Sequence, residues 1–72
     1  MKLRDKEEII GVLKNVTQSG DSHILHLSMD HNVMLSTSAL PPADLQQYIG
    51  KRVGLFRCDD RYYIRRIYDD KN

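Results

Sequence analysis

Five short segments of this chain have strand-type patterns, and turn residues separate them; they are EIIGVLKNV, HILHLSM, VMLSTS, KRVGLFRC and RYYIRRI. Apolar residues that alternate with polar ones predict β-strands, because successive side chains of a strand point to opposite faces. One segment, ALPPADLQQYIG, has a helical period instead: Leu45, Tyr48 and Ile49 form an apolar stripe. Two prolines suit its first turn, and Gly50 stands where a C-terminal glycine belongs. The chain therefore predicts an all-β fold with one short helix between strands 3 and 4.

The strand patterns also predict which side chains form the core. Leu25, Leu27 and Met29 alternate on the second strand and should face inward, as should Val33 and Leu35 on the third. The stretches TQSGDS and DHN between the first three strands are predicted as a loop and a tight turn from their composition. The pair DD at 59–60 suits a two-residue hairpin, since Asp tolerates a positive φ angle better than most residues.

The first strand is apolar on both faces and contains Gly11. One face would carry Ile9 and Leu13, and the other Ile10, Val12 and Val16. A glycine inside a strand often marks a bulge or a sharp bend, and such a bend lets one strand take part in two sheets.

A chain of 72 residues is long enough for one domain, with a thin core. We expect residues 1–8 to be a charged flexible arm, residues 9–68 to be a single domain and residues 69–72 to be a polar tail. Cys58 is the one cysteine of the sequence, so no disulfide strengthens the core. The arm has no apolar segment of a signal peptide and no stretch is long enough to span a membrane, so we expect a cytoplasmic protein.

Five strands bury a core best when they close into a barrel, which removes the sheet edges, and the helix would cover one end. The order of three strands, a helix and two strands, with a glycine in the first strand, resembles the OB-fold from Glu8 to Tyr68. The resemblance implies a five-stranded OB-like barrel. It also implies binding at the outer side of strands 2 and 3 and at the loops that join strands 1–2 and 4–5. An SH3-like or Sm-like barrel is the alternative architecture.

The residues with reactive side chains do not form a recognisable catalytic or metal-binding pattern. His23 and His26 are three positions apart, so on a strand they point to opposite faces and cannot chelate one metal ion together. No serine lies in a nucleophile elbow, and no glycine-rich phosphate loop is present. We expect no enzyme activity, no metal and no cofactor.

The last third of the chain carries the basic residues. Residues 1–50 have four basic and six acidic side chains, whereas residues 51–72 have seven basic and four acidic ones. Residues 50–67 contain five arginines, one lysine and three aromatic residues, around the Asp-Asp pair at 59–60. Aromatic rings stack on bases and guanidinium groups contact phosphates, so this hairpin predicts a surface for single-stranded nucleic acid.

The expected nucleic-acid contacts are Arg57, Arg61, Tyr63 and Arg65. Arg52 and Phe56 would extend the same surface if Val53 and Leu55 point inward. The alternative is structural: arginines on an edge strand keep it soluble and prevent pairing with other sheets. The sequence does not distinguish RNA from DNA.

A second surface lies on the outer side of strands 2 and 3, where we expect Ile24, His26 and Met34. It has no aromatic ring, and its apolar side chains suit a protein contact. The alternative function is therefore a protein-interaction module, either a homodimer or a subunit of a larger complex.

Overall fold

The computed structural model describes residues 2–40 and 42–68, and of residues 42–44 it describes the backbone alone. The strands are β1 (Glu8–Ser19), β2 (Ser22–Leu27), β3 (His31–Ser36), β4 (Arg52–Cys58) and β5 (Arg61–Arg66). A 3₁₀ helix, Pro42–Tyr48, lies between β3 and β4. All strand pairs are antiparallel, in the order β3-β2-β1-β4-β5. The all-β fold with one short helix is confirmed; Pro41 and the predicted tail at 69–72 lie outside the described residues.

Strand β1 belongs to both halves of the sheet. Its first part, up to Val12, pairs with β4, and its second part pairs with β2. We had expected an irregularity at Gly11. The register instead shifts between Leu13 and Asn15, further along the strand. The shift explains the two apolar faces of this strand: Leu13 is fully buried, and the extra residue brings Val16 back to the same inner side. The strand also continues to Ser19 and β2 begins at Ser22, so four of the six residues of the predicted TQSGDS loop are strand.

The inner side of the sheet covers one hydrophobic core. Leu25, Leu27, Val33 and Leu35 are buried, as the alternation predicted. The prediction for Met29 was wrong: its side chain is 85% exposed, because the turn begins earlier and holds Met29 at a φ angle of 61°. The 3₁₀ helix contributes Leu45, and Tyr48 and Ile49 pack partly buried against the same core. Other buried members of the core are Leu3, Leu13, Leu40, Val53, Leu55 and Tyr62.

The segment before β1 packs against the sheet, which differs from the flexible arm that we expected at residues 1–8. Leu3 is only 1% exposed and joins the core. The Lys6 N–H donates a hydrogen bond to the Arg57 carbonyl at 2.7 Å, and the Asp59 N–H donates to the Asp5 carboxylate at 2.6 Å. A charged segment with one leucine thus adds a side chain to a core that is otherwise small.

Strands β3 and β5 form the two edges of the sheet. A main-chain hydrogen bond connects the segment after β3 to β5: the Tyr62 N–H donates to the Ala39 carbonyl at 3.0 Å. The expected closure into a barrel is not confirmed, because no strand pairing joins the two edges within the described residues. Within the described parts of the chain, no helix combines the length and the apolar character that a membrane span needs.

Candidate functional site

The edge strand β5 presents Arg61, Tyr63 and Arg65 on its outer side. The three residues alternate along the strand and are exposed, and the Tyr63 side chain is 51% exposed. The intervening Tyr62 is 7% exposed and belongs to the core. The structure therefore brings together three of the four predicted nucleic-acid contacts.

The strands β4 and β1 continue this surface. Phe56 lies opposite Tyr63, and Gly54 opposite Arg65, so their outer sides form one face. On β1, Glu8 lies opposite Phe56 and Ile10 lies opposite Gly54. We call this surface the basic-aromatic face. It consists of Glu8, Ile10, Val12, Arg52, Gly54, Phe56, Arg61, Tyr63 and Arg65.

Two aromatic rings are adjacent on the basic-aromatic face. The ring centroids of Phe56 and Tyr63 are 6.5 Å apart, and the ring planes are inclined by 34°. Phe56 is half-buried, so it supports the more exposed Tyr63 from the neighbouring strand. Such a pair leaves one face of a ring available for stacking while the other contacts are made within the protein.

Gly54 lies at the centre of this face, and the Glu8 carboxylate lies close to it. A Cβ atom added to Gly54 would be 2.8 Å from Glu8 Oε2 and 3.4 Å from Ile67 Cδ1. The same Glu8 oxygen lies 3.4 Å from an Arg65 guanidinium nitrogen. A larger residue at position 54 would therefore displace the Glu8 side chain and disturb its ion pair with Arg65.

Apolar side chains on β1 border the two rings, which the sequence analysis did not anticipate. Ile10 is 47% exposed and Val12 is 37% exposed. The pattern alone could not identify them as outward, since both faces of the first strand are apolar. The pairing with β4 shows that Ile10 and Val12 point outward. Gly11 lies opposite the buried Val53 and shares its inner side, so its two neighbours in the strand point to the other side.

Arg57, the fourth predicted contact, lies on the other side of β4, opposite the buried Tyr62. Its guanidinium donates hydrogen bonds to the Leu3 carbonyl at 2.7 Å and to the Asp59 carbonyl at 2.9 Å. The Asp60 carboxylate lies 4.0 Å away. These contacts join the segment before β1 to the β4–β5 turn, so the geometry gives Arg57 a structural role.

The second predicted surface is present on β2 and β3. Ile24 lies opposite Met34, which is 40% exposed, and His26 lies opposite Asn32. The ring of His26 is held on both sides: Nδ1 donates to Asn32 Oδ1 at 2.8 Å, and Nε2 lies 2.9 Å from Thr17 Oγ1. In the neutral ring Nε2 then carries no hydrogen, so it accepts a hydrogen bond from the Thr17 hydroxyl. This surface is thus mostly polar and ordered, with one exposed apolar side chain.

The histidines at 23 and 26 point to opposite sides of β2, as predicted. His23 is on the inner side and 7% exposed, and neither of its ring nitrogens has a hydrogen-bond partner among the described residues. His26 faces outward and contacts Thr17 and Asn32. Among the residues that the structure describes, no three His, Cys, Asp or Glu side chains lie together in a group that could hold a metal ion.

The basic-aromatic face combines an exposed aromatic ring, guanidinium groups and apolar side chains. These are the contact types that proteins use for single-stranded nucleic acids. Comparisons with protein-family models, with curated proteins and with solved structures found no match. No relative therefore supplies a function for this surface.

Proposed function

We propose that this protein is a small binding module without catalytic activity, and that it binds single-stranded nucleic acid on the basic-aromatic face. The observation that carries the proposal is the alternation of Arg61, Tyr63 and Arg65 on the outer side of β5. Alternate residues of a strand lie roughly 7 Å apart, so the three side chains form a row along the sheet edge. A single strand laid along this row would meet a guanidinium group on either side of the base that stacks on Tyr63.

We further propose that the fold is OB-like. The order β3-β2-β1-β4-β5 is that of a five-stranded, partly open barrel whose gap lies between β3 and β5. The bond from the Tyr62 N–H to the Ala39 carbonyl already spans the gap at one end. The 3₁₀ helix between β3 and β4, which buries Leu45, has the position expected of the end plug.

The decisive experiment is an NMR titration of the labelled protein with a mixed-sequence single-stranded oligonucleotide at low salt. We expect shifts of the amide signals of β5 and of Phe56, and a dissociation constant that rises steeply with salt, because bound phosphates release counterions. Shifts confined to β2 and β3 would place the site on the other surface. No shift at low salt would refute the proposal.

Charge-removing variants identify the contacts. Arg61→Ala and Arg65→Ala should each weaken binding to all sequences and reduce the salt slope by about 1, as expected for lost phosphate contacts. Lys14→Ala is the control, since Lys14 is exposed at the β1 irregularity and lies beyond the part of β1 that pairs with β4. An equal effect of Lys14→Ala would mean that only net charge matters.

The second candidate function is a protein-interaction module that uses Ile24, His26 and Met34, as a homodimer or in a larger complex. The exposure of Met34 beside Ile24, on a surface without aromatic rings, supports it. A Met34→Asp substitution should abolish such a contact while leaving oligonucleotide binding unchanged. Analytical ultracentrifugation tests the homodimer directly.

A further inference from the structure

The two edges of the sheet differ in the groups that they expose. The β5 edge is lined by arginines, whereas β3 has no lysine, arginine or carboxylate. Charged side chains on an edge strand discourage the addition of another strand, and their absence permits it. The edge of β3 is therefore the one on which an additional strand would meet the least resistance.

The pairing of β2 with β3 determines which main-chain groups point to this edge. The Thr37 N–H donates to the Asp21 carbonyl at 2.8 Å, and the register makes these two residues opposite neighbours. Hydrogen-bonded and non-bonded pairs alternate along an antiparallel ladder. The main chain of Met34 and the N–H of Ser36 consequently point away from β2, towards the open edge.

An open cleft of about 300 Å³ runs along this edge. Met34 and Ser36 line one side of it, and the buried side chains of Leu35 and Tyr62 contribute to its lining. Lys2 and Arg57 line it as well. The cleft thus combines a strand edge that pairs with no second strand in the described parts of the chain, an apolar part, and two basic side chains beside one acidic side chain.

The charge of the cleft favours an anionic occupant. Asp60 also lines the cleft, but its carboxylate lies 4.0 Å from the Arg57 guanidinium and offsets only one of the two cations. Lys2 is exposed, so its ammonium group is accessible to a carboxylate. An acidic side chain on the occupant would meet positive charge here.

We propose that the β3 edge binds an extended acidic peptide of a partner protein, which adds to the sheet as a sixth strand beside Met34 and Ser36. Peptides that extend a sheet gain affinity from main-chain hydrogen bonds and specificity from alternate side chains. In this cleft the main chain of the peptide pairs with Met34, and a carboxylate of the peptide approaches the exposed Lys2, since Asp60 already offsets the charge of Arg57. The site is separate from the basic-aromatic face and does not depend on the nucleic-acid proposal.

Two other occupants fit the cleft less well. A nucleic acid has no alternating N–H and C=O groups, so it cannot pair with the main chain of a strand. A second copy of this chain would bring its own Lys2 towards the same net positive charge, and its β3 carries no carboxylate to neutralise it. An acidic peptide satisfies both the main chain and the charges.

The binding test uses three labelled probes in fluorescence anisotropy: a short peptide of alternating Val and Glu, its Val-Lys counterpart, and a single-stranded oligonucleotide. We expect the Val-Glu peptide to bind, and the Val-Lys peptide to bind at least tenfold more weakly. Methylation of alternate main-chain nitrogens of the Val-Glu peptide should abolish binding, because it removes the ladder donors. Unchanged binding of the methylated peptide would overturn the proposal.

Variants then locate the peptide on the protein. Met34→Pro removes the outward N–H, which an edge strand tolerates, and should weaken peptide binding about fivefold, as for one lost hydrogen bond. Met34→Val retains the N–H and is the matched control. Lys2→Glu tests the charge without touching the strand, so the site remains testable even if the proline variant does not fold.

The outcomes distinguish this site from the proposed nucleic-acid surface. Tyr63→Ala should leave peptide binding unchanged, and an excess of oligonucleotide should not displace the peptide. Competition between the oligonucleotide and the Val-Glu peptide would show that the cleft is a general polyanion site. Equal binding of the Val-Glu and Val-Lys peptides would show that binding is non-specific. Either result would refute strand addition. Loss of oligonucleotide binding alone would leave the peptide result intact.

Discussion

The Glu8 carboxylate lies 3.4 Å from the Arg65 guanidinium on the basic-aromatic face. One of the cations proposed to bind phosphate is therefore already paired with an acidic side chain. The Arg65 side chain is 67% exposed and that of Glu8 is 31% exposed. Ion pairs with this exposure contribute about 0–1 kcal/mol to stability. The pair therefore matters little for folding, but Glu8 competes directly with any phosphate for Arg65.

Replacing this competitor should strengthen nucleic-acid binding. We expect Glu8→Gln to lower the dissociation constant for a single-stranded oligonucleotide several-fold at low salt, and to leave the melting temperature nearly unchanged. Glu7→Gln makes the same change in net charge on a residue whose backbone pairs with Arg57, and it should have a smaller effect. Equal gains for both variants would show that the position of the charge is irrelevant.

Truncation of the adjacent tyrosines of β5 should affect two different properties, oligonucleotide binding for Tyr63 and stability for Tyr62. Tyr63→Ala should weaken oligonucleotide binding by about 1–3 kcal/mol and leave the fold intact, because the ring is 51% exposed. Tyr62→Ala should destabilise the protein by about 3–5 kcal/mol, since that ring is in the core. Circular dichroism melting and anisotropy separate the two effects. If Tyr63→Ala unfolds the protein, the ring is structural and the proposed stack does not exist.

The 3₁₀ helix should be essential for stability through a single side chain. Leu45 is 1% exposed, and Leu45→Ala should cost about 2–4 kcal/mol by leaving a cavity under the helix. For a domain of marginal stability this is enough to unfold much of the population at room temperature. Gln46→Ala, on the exposed side, is the control for helix propensity. Wild-type melting of Leu45→Ala would show that the segment does not close the core.

Gly11 should be coupled to Ser28. A Cβ atom at position 11 would lie 2.9 Å from Ser28 Oγ, the atom that accepts the Val12 N–H at 3.0 Å. Gly11→Ala should therefore push the hydroxyl away and cost about 1 kcal/mol or more. Ser28→Ala removes the same hydrogen bond, so the double variant should be more stable than the sum of the single effects predicts. Strict additivity in urea denaturation would contradict the contact.

His23 should be replaceable by an apolar residue with a gain in stability. Its imidazole is 7% exposed, and in the part of the chain that the structure describes both nitrogens lack a hydrogen-bond partner, which costs free energy in the folded state. We expect His23→Leu to raise the free energy of unfolding by about 1 kcal/mol. His26→Leu, which loses the contacts with Thr17 and Asn32, should give no such gain. A less stable His23→Leu protein would mean that the ring has a partner.

Alternation predicted the inner side of β2 and β3, since Leu25, Leu27 and Val33 are buried as expected. It failed at Met29, because strand ends depend on where the turn begins, and a methionine at positive φ carries no turn signal. It also failed to place Leu3 in the core, since a single leucine among charged residues has no periodicity from which burial could be predicted. Tertiary packing decides both cases.

The candidate site was predicted in part for a similar reason. Tyr62 and Tyr63 are neighbours in β5 and therefore point to opposite sides of the sheet. Once one of them is known to be inside, the side to which every other residue of β5 points is also known. The orientation of Arg57 depends on the carbonyl of Leu3, more than fifty residues earlier in the sequence. The exposure of Ile10 depends on the pairing of β1 with β4. Contacts between distant segments have no local signal in a single sequence.

The central position of β1 has a consequence for how this protein unfolds. In the strand order, β1 lies between the β2–β3 hairpin and the β4–β5 hairpin, and its two parts pair with one hairpin each. An isolated two-stranded hairpin is marginally stable at best in water. If β1 detaches, neither hairpin should persist, so the amide protons of β1 should exchange with solvent only through global unfolding. Thermal melting should then follow a single cooperative transition whichever hairpin is monitored.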